Sequence, residues 1–341
     1  EHGLALAGVI ANRTAGARHR AIVRESIESL AGVPVLGMLP KISANPIPER
    51  HMGLVSNREQ GGVEAILDNL AEVIRQNVDL DRLLAIARAA PPLPEAASAA
   101  PSAAVVSGKR PVIGVVRDAA LWFYYPENFE ALTRAGADLA FVSLLDDAPW
   151  PELDGLYLGG GFPETQVQRL CANTATQRRV KALSEAGLPI YAECGGFMYL
   201  CQGLDLDGTV HPMAGVFPVI TSLCARPQGL GYSLARVVRE NPFHPMGTLL
   251  HGHEFHYSKC LPALGPGAGQ GLPGPETFTL SMERGVGMLA GHDGLLSHNT
   301  FAAYTHIHAE GALHWAPRFV AAALAYGEKN KEKMPPAAGR G

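Results

Sequence analysis

The sequence predicts an α/β chain in two parts, and three observations carry that expectation. Short apolar runs of strand length, at residues 33–39, 112–116, 139–142 and 153–158, alternate with longer stretches of helical spacing. This is how a largely parallel sheet covered by helices reads. A stretch rich in Ala, Pro and Ser, residues 89–109, separates the two parts and has linker composition. The run LPIYAECGGFMYL, residues 188–200, passes from an apolar strand into an apolar helix-like segment with no loop between.

In the first part, residues 3–10 read as a buried strand with Asn12-Arg13 at its C-terminal end. Residues 18–30 have helical spacing, with Ile22, Val23, Ile27 and Leu30 on one face. Residues 33–39 form a second strand stopped by Pro40, and residues 59–89 a long amphipathic helix broken near Asn77. This first domain, residues 1–88, is thin for a doubly wound sheet and opens on a strand. The expectation is that its first half lies upstream of Glu1. The second domain spans residues 110–327. It is expected to contain helices at 127–135, after Pro163, at 176–186 and at 317–326. Pro163 suits a first helical turn, and Gly136 and Gly187 close two of the others. Residues 215–256 look strand-rich, and residues 301–308 form one final strand. The polar, Lys-rich tail, residues 328–341, is expected to be disordered.

Composition narrows the function classes. The 341 residues are 47% hydrophobic and 18% charged, with a net charge of -4, which gives no reason to expect a nucleic-acid or polybasic membrane partner. No apolar run is long enough to span a bilayer, and no signal peptide is expected. The five cysteines are scattered and contain no CxxC pair, which points to a reducing, cytoplasmic setting.

Ala192-Glu193-Cys194-Gly195-Gly196 has the pattern of a strand-to-helix nucleophile elbow, where only small residues fit two places either side of the nucleophile. A helix N-terminus there would favour the Cys194 thiolate. The plainer reading is an inert buried cysteine before a glycine turn. A nucleophile needs a base and an oxyanion hole. His306, in Phe301-Ala-Ala-Tyr-Thr-His306-Ile-His308, is the best candidate base. His308, on the same strand face by period two, and Glu310 are both candidates to orient it. Gly160 and Gly161, at the end of a strand, and Gly195 are candidate oxyanion and substrate donors through their backbone N–H groups. A plain tight turn would look the same.

Two other motifs fail. His251-Gly-His253-Glu254-Phe-His256 is not HExxH, since Tyr257 stands where the second histidine belongs, and no metal is expected. A contact to an acidic substrate or a packed hydrogen-bonded corner fits the cluster better. Ser107-Gly108-Lys109 is not the end of a phosphate-binding loop, because Ala103 and Arg110 stand where that loop needs a glycine and a Ser or Thr.

Five blocks resemble a known family. They are Val116-Arg117-Asp118-Ala119-Ala120, the six residues from Phe123 to Asn128, the eleven from Asp154 to Glu164, the ten from Tyr191 to Leu200, and the seven from Gly252 to Ser258. They are similar to those of cobyrinate a,c-diamide synthases, glutamine-dependent amidotransferases of the cobalamin pathway. Asn12-Arg13 with His19, and the block from Pro48 to Leu54, extend the resemblance into the first part.

The resemblance implies a partial P-loop-type, dethiobiotin-synthetase-like domain followed by a class I glutamine amidotransferase-like domain. It implies that Cys194 is the glutaminase nucleophile and His306 the residue that activates it. It also implies ATP and Mg2+, with the phosphate loop lying before Glu1 and the chain a fragment or a shortened product. The substrates it implies are glutamine and a tetrapyrrole, cobyrinate or hydrogenobyrinate, with sirohaem or nickel-sirohydrochlorin as alternatives. The segment from Arg226 to Tyr232, with that from Asn241 to Pro245, leans toward the sirohaem-amidating relatives. A non-catalytic tetrapyrrole-binding remnant and a peptidase-type cysteine hydrolase stay open, as do a homodimer and a separate ATPase partner. Ordinary triad glutaminases have Glu two residues after the histidine; here His308 stands there, so the orienter of His306 is unassigned.

Overall fold

The computed structural model describes residues 5–42, 62–92, 110–263 and 272–333. Gly3 and Leu4 of the first expected strand, the block from Pro48 to Leu54, residues 59–61, most of the expected linker with Ser107-Gly108-Lys109, and the tail from residue 334 lie outside the described residues. The chain divides into two units, Glu1–Ala100 and Pro101–Gly341.

The first unit holds β1 (Val9–Thr14), α1 (Ala17–Ser26), β2 (Val35–Pro40), α2 (Val63–Asn77) and α3 (Leu80–Arg88). β1 and β2 pair in parallel, from Val9 opposite Val35 to Thr14 opposite Pro40. β1 therefore begins later than the apolar run suggests and takes in Asn12-Arg13, because a parallel strand extends only where its partner supplies hydrogen bonds. The break near Asn77 has a local cause: Val78 turns extended and bridges Gly37, and Asp79 then caps α3 by accepting from Arg82 N at 3.0 Å. The apolar face expected over residues 18–30, which α1 and the π-helical turn Ile27–Ala31 divide, is not buried: Ile22 is 54% and Leu30 87% exposed.

The second unit is built on a ten-stranded sheet. In chain order its elements open with β3 (Val112–Val116), β4 (Leu121–Phe123), α4 (Pro126–Arg134), β5 (Asp138–Val142), β6 (Gly155–Leu158) and β7 (Gly160–Gly161). Next come α5 (Val167–Ala172), α6 (Thr174–Glu185), β8 (Ile190–Glu193) and α7 (Gly195–Leu200). They are followed by β9 (Cys201–Leu206), β10 (Thr209–Pro212), β11 (Phe217–Leu223), β12 (Gly229–Val237), β13 (Leu249–His256) and β14 (Ser258–Pro262). The last are β15 (Phe278–Arg284), β16 (His292–Ser297), β17 (Thr300–Ala303), β18 (His306–Ile307) and α8 (Trp315–Lys333). The large sheet runs β18-β13-β12-β15-β16-β17-β8-β6-β3-β5, while β10-β9-β11-β14 form a second sheet and β4-β7 a small ribbon.

From β17 to β5 the large sheet is parallel, and from β16 to β18 antiparallel. Both faces of the parallel half are covered. Ile190 and Ala192 enter one core with Phe197 and Leu158; Tyr191 enters the other with Tyr157, Trp315 and Phe319. This is why β8 reads as a continuous apolar run rather than an alternation. Each fully buried large side chain contributes about 1.5–3 kcal/mol.

Two expectations need correction. The single strand expected over residues 301–308 is broken at Tyr304-Thr305, and its halves pair with different strands, β17 with β8 and β18 with β13. The cause is Asp293, fully buried, which accepts Tyr304 N at 3.0 Å and Thr305 N at 2.9 Å and so takes those donors out of the ladder. Only two residues join β17 to β18, although they stand sixth and first in the sheet order, so the antiparallel half curls back to bring β18 to the end of β8. The second correction is the tail: α8 runs to Lys333, through the first part of the segment expected to be disordered. Its buried Trp315, Phe319 and Ala323 anchor it, and the Glu and Lys residues beyond Gly327 are good helix formers.

Candidate active site

The elbow forms because two stretches of backbone meet there. Cys194 takes φ 46° and ψ −100°, a conformation a non-glycine residue holds only at a cost of about 1–3 kcal/mol. It is held by Cys194 N donating to Ala303 O at 2.7 Å, Gly196 N to Gly159 O at 3.0 Å, and Met198 N to Cys194 O at 2.9 Å. A Cβ on Gly196 would lie 2.5 Å from Leu158 O, and one on Gly195 would lie 2.9 Å from both N and O of Gly161. No side chain fits at either position. Cys194 itself is 7% exposed, with Sγ 4.0 Å from Phe255 O.

His306 arrives from the far edge of the sheet, paired with His253 across β18 and β13. It is 4% exposed, with Phe123 edge-on at 5.3 Å and His253 stacked at 4.8 Å. Gly160 makes room for it, since a Cβ there would lie 2.6 Å from His306 Cε1. Burial works against a charge on this imidazole, but hydrogen bonding to Cys194 and Glu193, and the charges of both, outweigh it. The pKa is pushed up to about 10. His253 goes the other way, down to about 4, through burial first and then the His306 charge. Two stacked imidazoles in a low-dielectric space do not both charge.

The remaining candidates fall in different places. Gly161 abuts Gly195, so the glycine loop and the elbow share one backbone contact, and Gly160 faces His306. His308 and Glu310 lie further out. His308 Nε2 is 3.5 Å from Glu127 Oε2 and its ring lies 4.8 Å from Tyr125, while Glu310 is paired with Arg134 at 2.8 Å. Glu254 and His256 of the histidine-rich strand form a packed corner. Glu254 accepts from Val286 N and Gly287 N, and His256 stacks on Tyr304 at 3.7 Å. Among the described residues no group of three or more His, Cys, Asp or Glu could hold a metal. Of the other cysteines, Cys201 donates to Phe197 O at 3.3 Å with its thiol raised well above its ordinary pKa by burial, and burial pushes Cys260 up to about 12.

Three residues of the site carried no role in the sequence reading. Glu193 is 2% exposed, with Oε2 3.7 Å from His306 Nδ1. Asn128 donates to Ile307 O at 3.2 Å and accepts Ala309 N at 2.7 Å, clamping the segment after the base. Asp293 sets the break before it. One signal was available: Glu193 is a charged residue inside an otherwise apolar strand, directly ahead of Cys194.

Residues 112–313 match the model of the CobB/CobQ-like glutamine amidotransferase domain. A cobyrinate a,c-diamide synthase of Magnetococcus marinus is 42% identical over 318 residues, covering 92% of this chain and 66% of that protein. One of Archaeoglobus fulgidus is 38% identical over 320 residues, covering 94% of this chain and 67% of that protein. One of Listeria innocua is 37% identical over 308 residues, covering 89% and 65%. The chain spans about two thirds of the length of these curated relatives. With an elbow cysteine, a glycine loop against it and a buried histidine alongside, the chain belongs to the CobB/CobQ-like glutamine amidotransferase family.

Proposed function

We propose that this chain hydrolyses glutamine at Cys194 and supplies the ammonia for ATP-dependent amidation of the a and c acetate carboxylates of a tetrapyrrole, cobyrinate or hydrogenobyrinate. One observation carries the reading: a cysteine held at a strained strand-to-helix turn, with a buried imidazole packed against the same glycine loop that meets the turn. With His306 held protonated, Sγ attacks the glutamine amide carbon, the C–N bond breaks, and the imidazolium gives its proton to the departing ammonia. A water activated by the same imidazole then hydrolyses the thioester to glutamate. Backbone N–H groups of Gly195 and of the Gly160-Gly161 loop are the proposed donors to the tetrahedral oxyanion. In the second half-reaction a phosphorylated carboxylate is the acceptor, because phosphate leaves where oxide cannot. ATP and Mg2+ belong to that half.

The test is glutamate and ammonia release from glutamine by this chain and by Cys194→Ser. Release by the parent and its loss in the variant supports the reading. If neither chain releases ammonia while both bind a tetrapyrrole, the binding-remnant reading replaces it. Cleavage of peptides, with no labelling of Cys194 by a glutamine-analogue electrophile, would replace it with a peptidase. Amidation of each tetrapyrrole in turn, with a homodimer or a separate ATPase chain completing the synthetase, decides between cobyrinate and the sirohaem or nickel-sirohydrochlorin alternatives. The segment that leans toward sirohaem is partly structural: His244 is fully buried between Tyr191 and His314.

A further inference from the structure

We propose that Glu193, the residue directly before the nucleophile, is the positioning residue of the base. Its carboxylate keeps the His306 imidazole turned with Nδ1 toward itself and the other ring nitrogen available to Cys194. The proposal rests on reading Cys194 and His306 as nucleophile and base.

The geometry is specific. Glu193 Oε2 lies 3.7 Å from His306 Nδ1, with both side chains buried. Nδ1 is buried without a hydrogen bond of ordinary length, and the Glu193 carboxylate is the acidic group beside it. At that distance the contact is an ion pair waiting to shorten, as catalytic hydrogen bonds often do once substrate is bound. The carboxylate is itself fixed. Tyr157 OH donates to Oε2 at 3.0 Å, Ile307 N donates to Oε1 at 3.1 Å, and Asn128 Nδ2 lies 3.2 Å from both Tyr157 OH and Ile307 O. This ring of bonds joins β6, β8, α4 and the segment after the base, so turning the carboxylate away would break several buried hydrogen bonds at once.

The strand period explains why the residue before the nucleophile can reach the base. Glu193 falls on the same face of β8 as Tyr191, beside Tyr157 of β6. The turn at Cys194 then brings the sulfur round to the same imidazole. The other groups packed on His306 are Phe123, Gly160 and a neutral His253, none of which is an acceptor carboxylate. The other fully buried carboxylate of this region, Asp293, is taken up by backbone N–H groups. His308 and Glu310 are engaged with Glu127 and Arg134.

The experiment uses the full chain with 15N-labelled histidine, the His306 signal being assigned by its loss in His306→Gln. In a Cys194→Ser background, which removes the sulfur, the His306 pKa is read by NMR with and without Glu193→Gln. The expected result is a fall of about one unit or more on losing the carboxylate, the size typical of a neighbouring opposite charge. Glu193→Asp, which keeps the charge on a shorter arm, is expected to recover part of it. In the parent background, Glu193→Gln should lower kcat for glutamine hydrolysis by roughly 10²- to 10⁴-fold with little change in KM, the upper end matching the loss of the orienting carboxylate in a Ser-His-Asp triad. An unchanged His306 pKa in the Gln variant overturns the proposal. Should Glu193→Gln fail to fold, Tyr157→Phe, which loosens the carboxylate without removing it, must still lower the pKa; an unchanged value there overturns it equally. The NMR arm needs no turnover, so absence of glutaminase activity in the parent would count against the proposed function and leave this proposal to be decided by the titration.

Discussion

In the elbow, residues 190–200, the backbone of Cys194 is set by the strand before it, the helix after it and two adjoining strand ends. The segment that delivers His306, residues 304–309, is held instead by Asp293, Glu193, Asn128 and the β13 ladder, drawn from four distant parts of the chain. The comparison teaches that the placement of Cys194 depends on steric fit, where only missing side chains allow close approach, and that of His306 on a few buried polar bonds. A steric site fails when a methyl group is added. A polar site fails when a carboxylate or an amide is removed.

The largest expected effect is on the base itself. His306→Ala should lower glutamine hydrolysis by about 10²-fold or more without unfolding the chain, checked by ammonia release and a thermal melt. Survival of activity there, with loss in His308→Ala, would exchange the two histidines. Next is Asp293→Ala, which leaves the buried N–H groups of Gly294, Tyr304 and Thr305 without their acceptor. A loss of about 3 kcal/mol in urea unfolding is expected, with turnover falling because β18 is no longer set. Gly196→Ala tests the steric side: its Cβ would lie 2.5 Å from a backbone oxygen that cannot swing away, so a loss of about 2 kcal/mol is expected. If Gly196→Ala is neutral and Asp293→Ala is too, the contrast between the two constructions disappears.

A pH series sharpens the same comparison. The folded-state pKa of His306 is raised to about 10, above its ordinary value of about 6.5. Between those values the folded chain keeps a proton that the unfolded chain has lost, so stability falls as pH rises. The stabilisation is complete below about pH 6.5 and gone above about pH 10. Denaturation midpoints measured across that window should decline more steeply for the parent than for His306→Gln; parallel curves would mean that His306 is not held charged. The smallest effects belong to the two candidates that lie further out. His308→Ala and Glu310→Ala each disrupt a partly exposed ion pair and should change stability by about 0.5 kcal/mol or less.

Much of this was legible because it is local. Small residues around Cys194, three glycines after β6 and helix stops at Gly136 and Gly187 each encode their own geometry. What escaped was pairing at a distance. Nothing in Phe301-Ala-Ala-Tyr-Thr-His-Ile-His signals that the strand must break at Tyr304, because the cause is a carboxylate at Asp293 in another strand. The apolar spacing over residues 18–30 placed four side chains on one face, but spacing alone does not say whether a partner covers it: Ile22 and Leu30 are exposed. Glu193 was visible as a charge in an apolar strand, yet its role waited on knowing which group lies across from it.

By itself the amino-acid order determined that there is an elbow, that a cysteine stands on it and that the surrounding layers alternate strand and helix, because backbone sterics and hydrophobic period act over a few residues. Only the folded sheet decided which histidine is buried beside the glycine loop and which carboxylate meets that histidine. That choice depends on the curl that joins the first strand of the sheet order to the end of β8, and such closure is a property of the whole set of strand pairings.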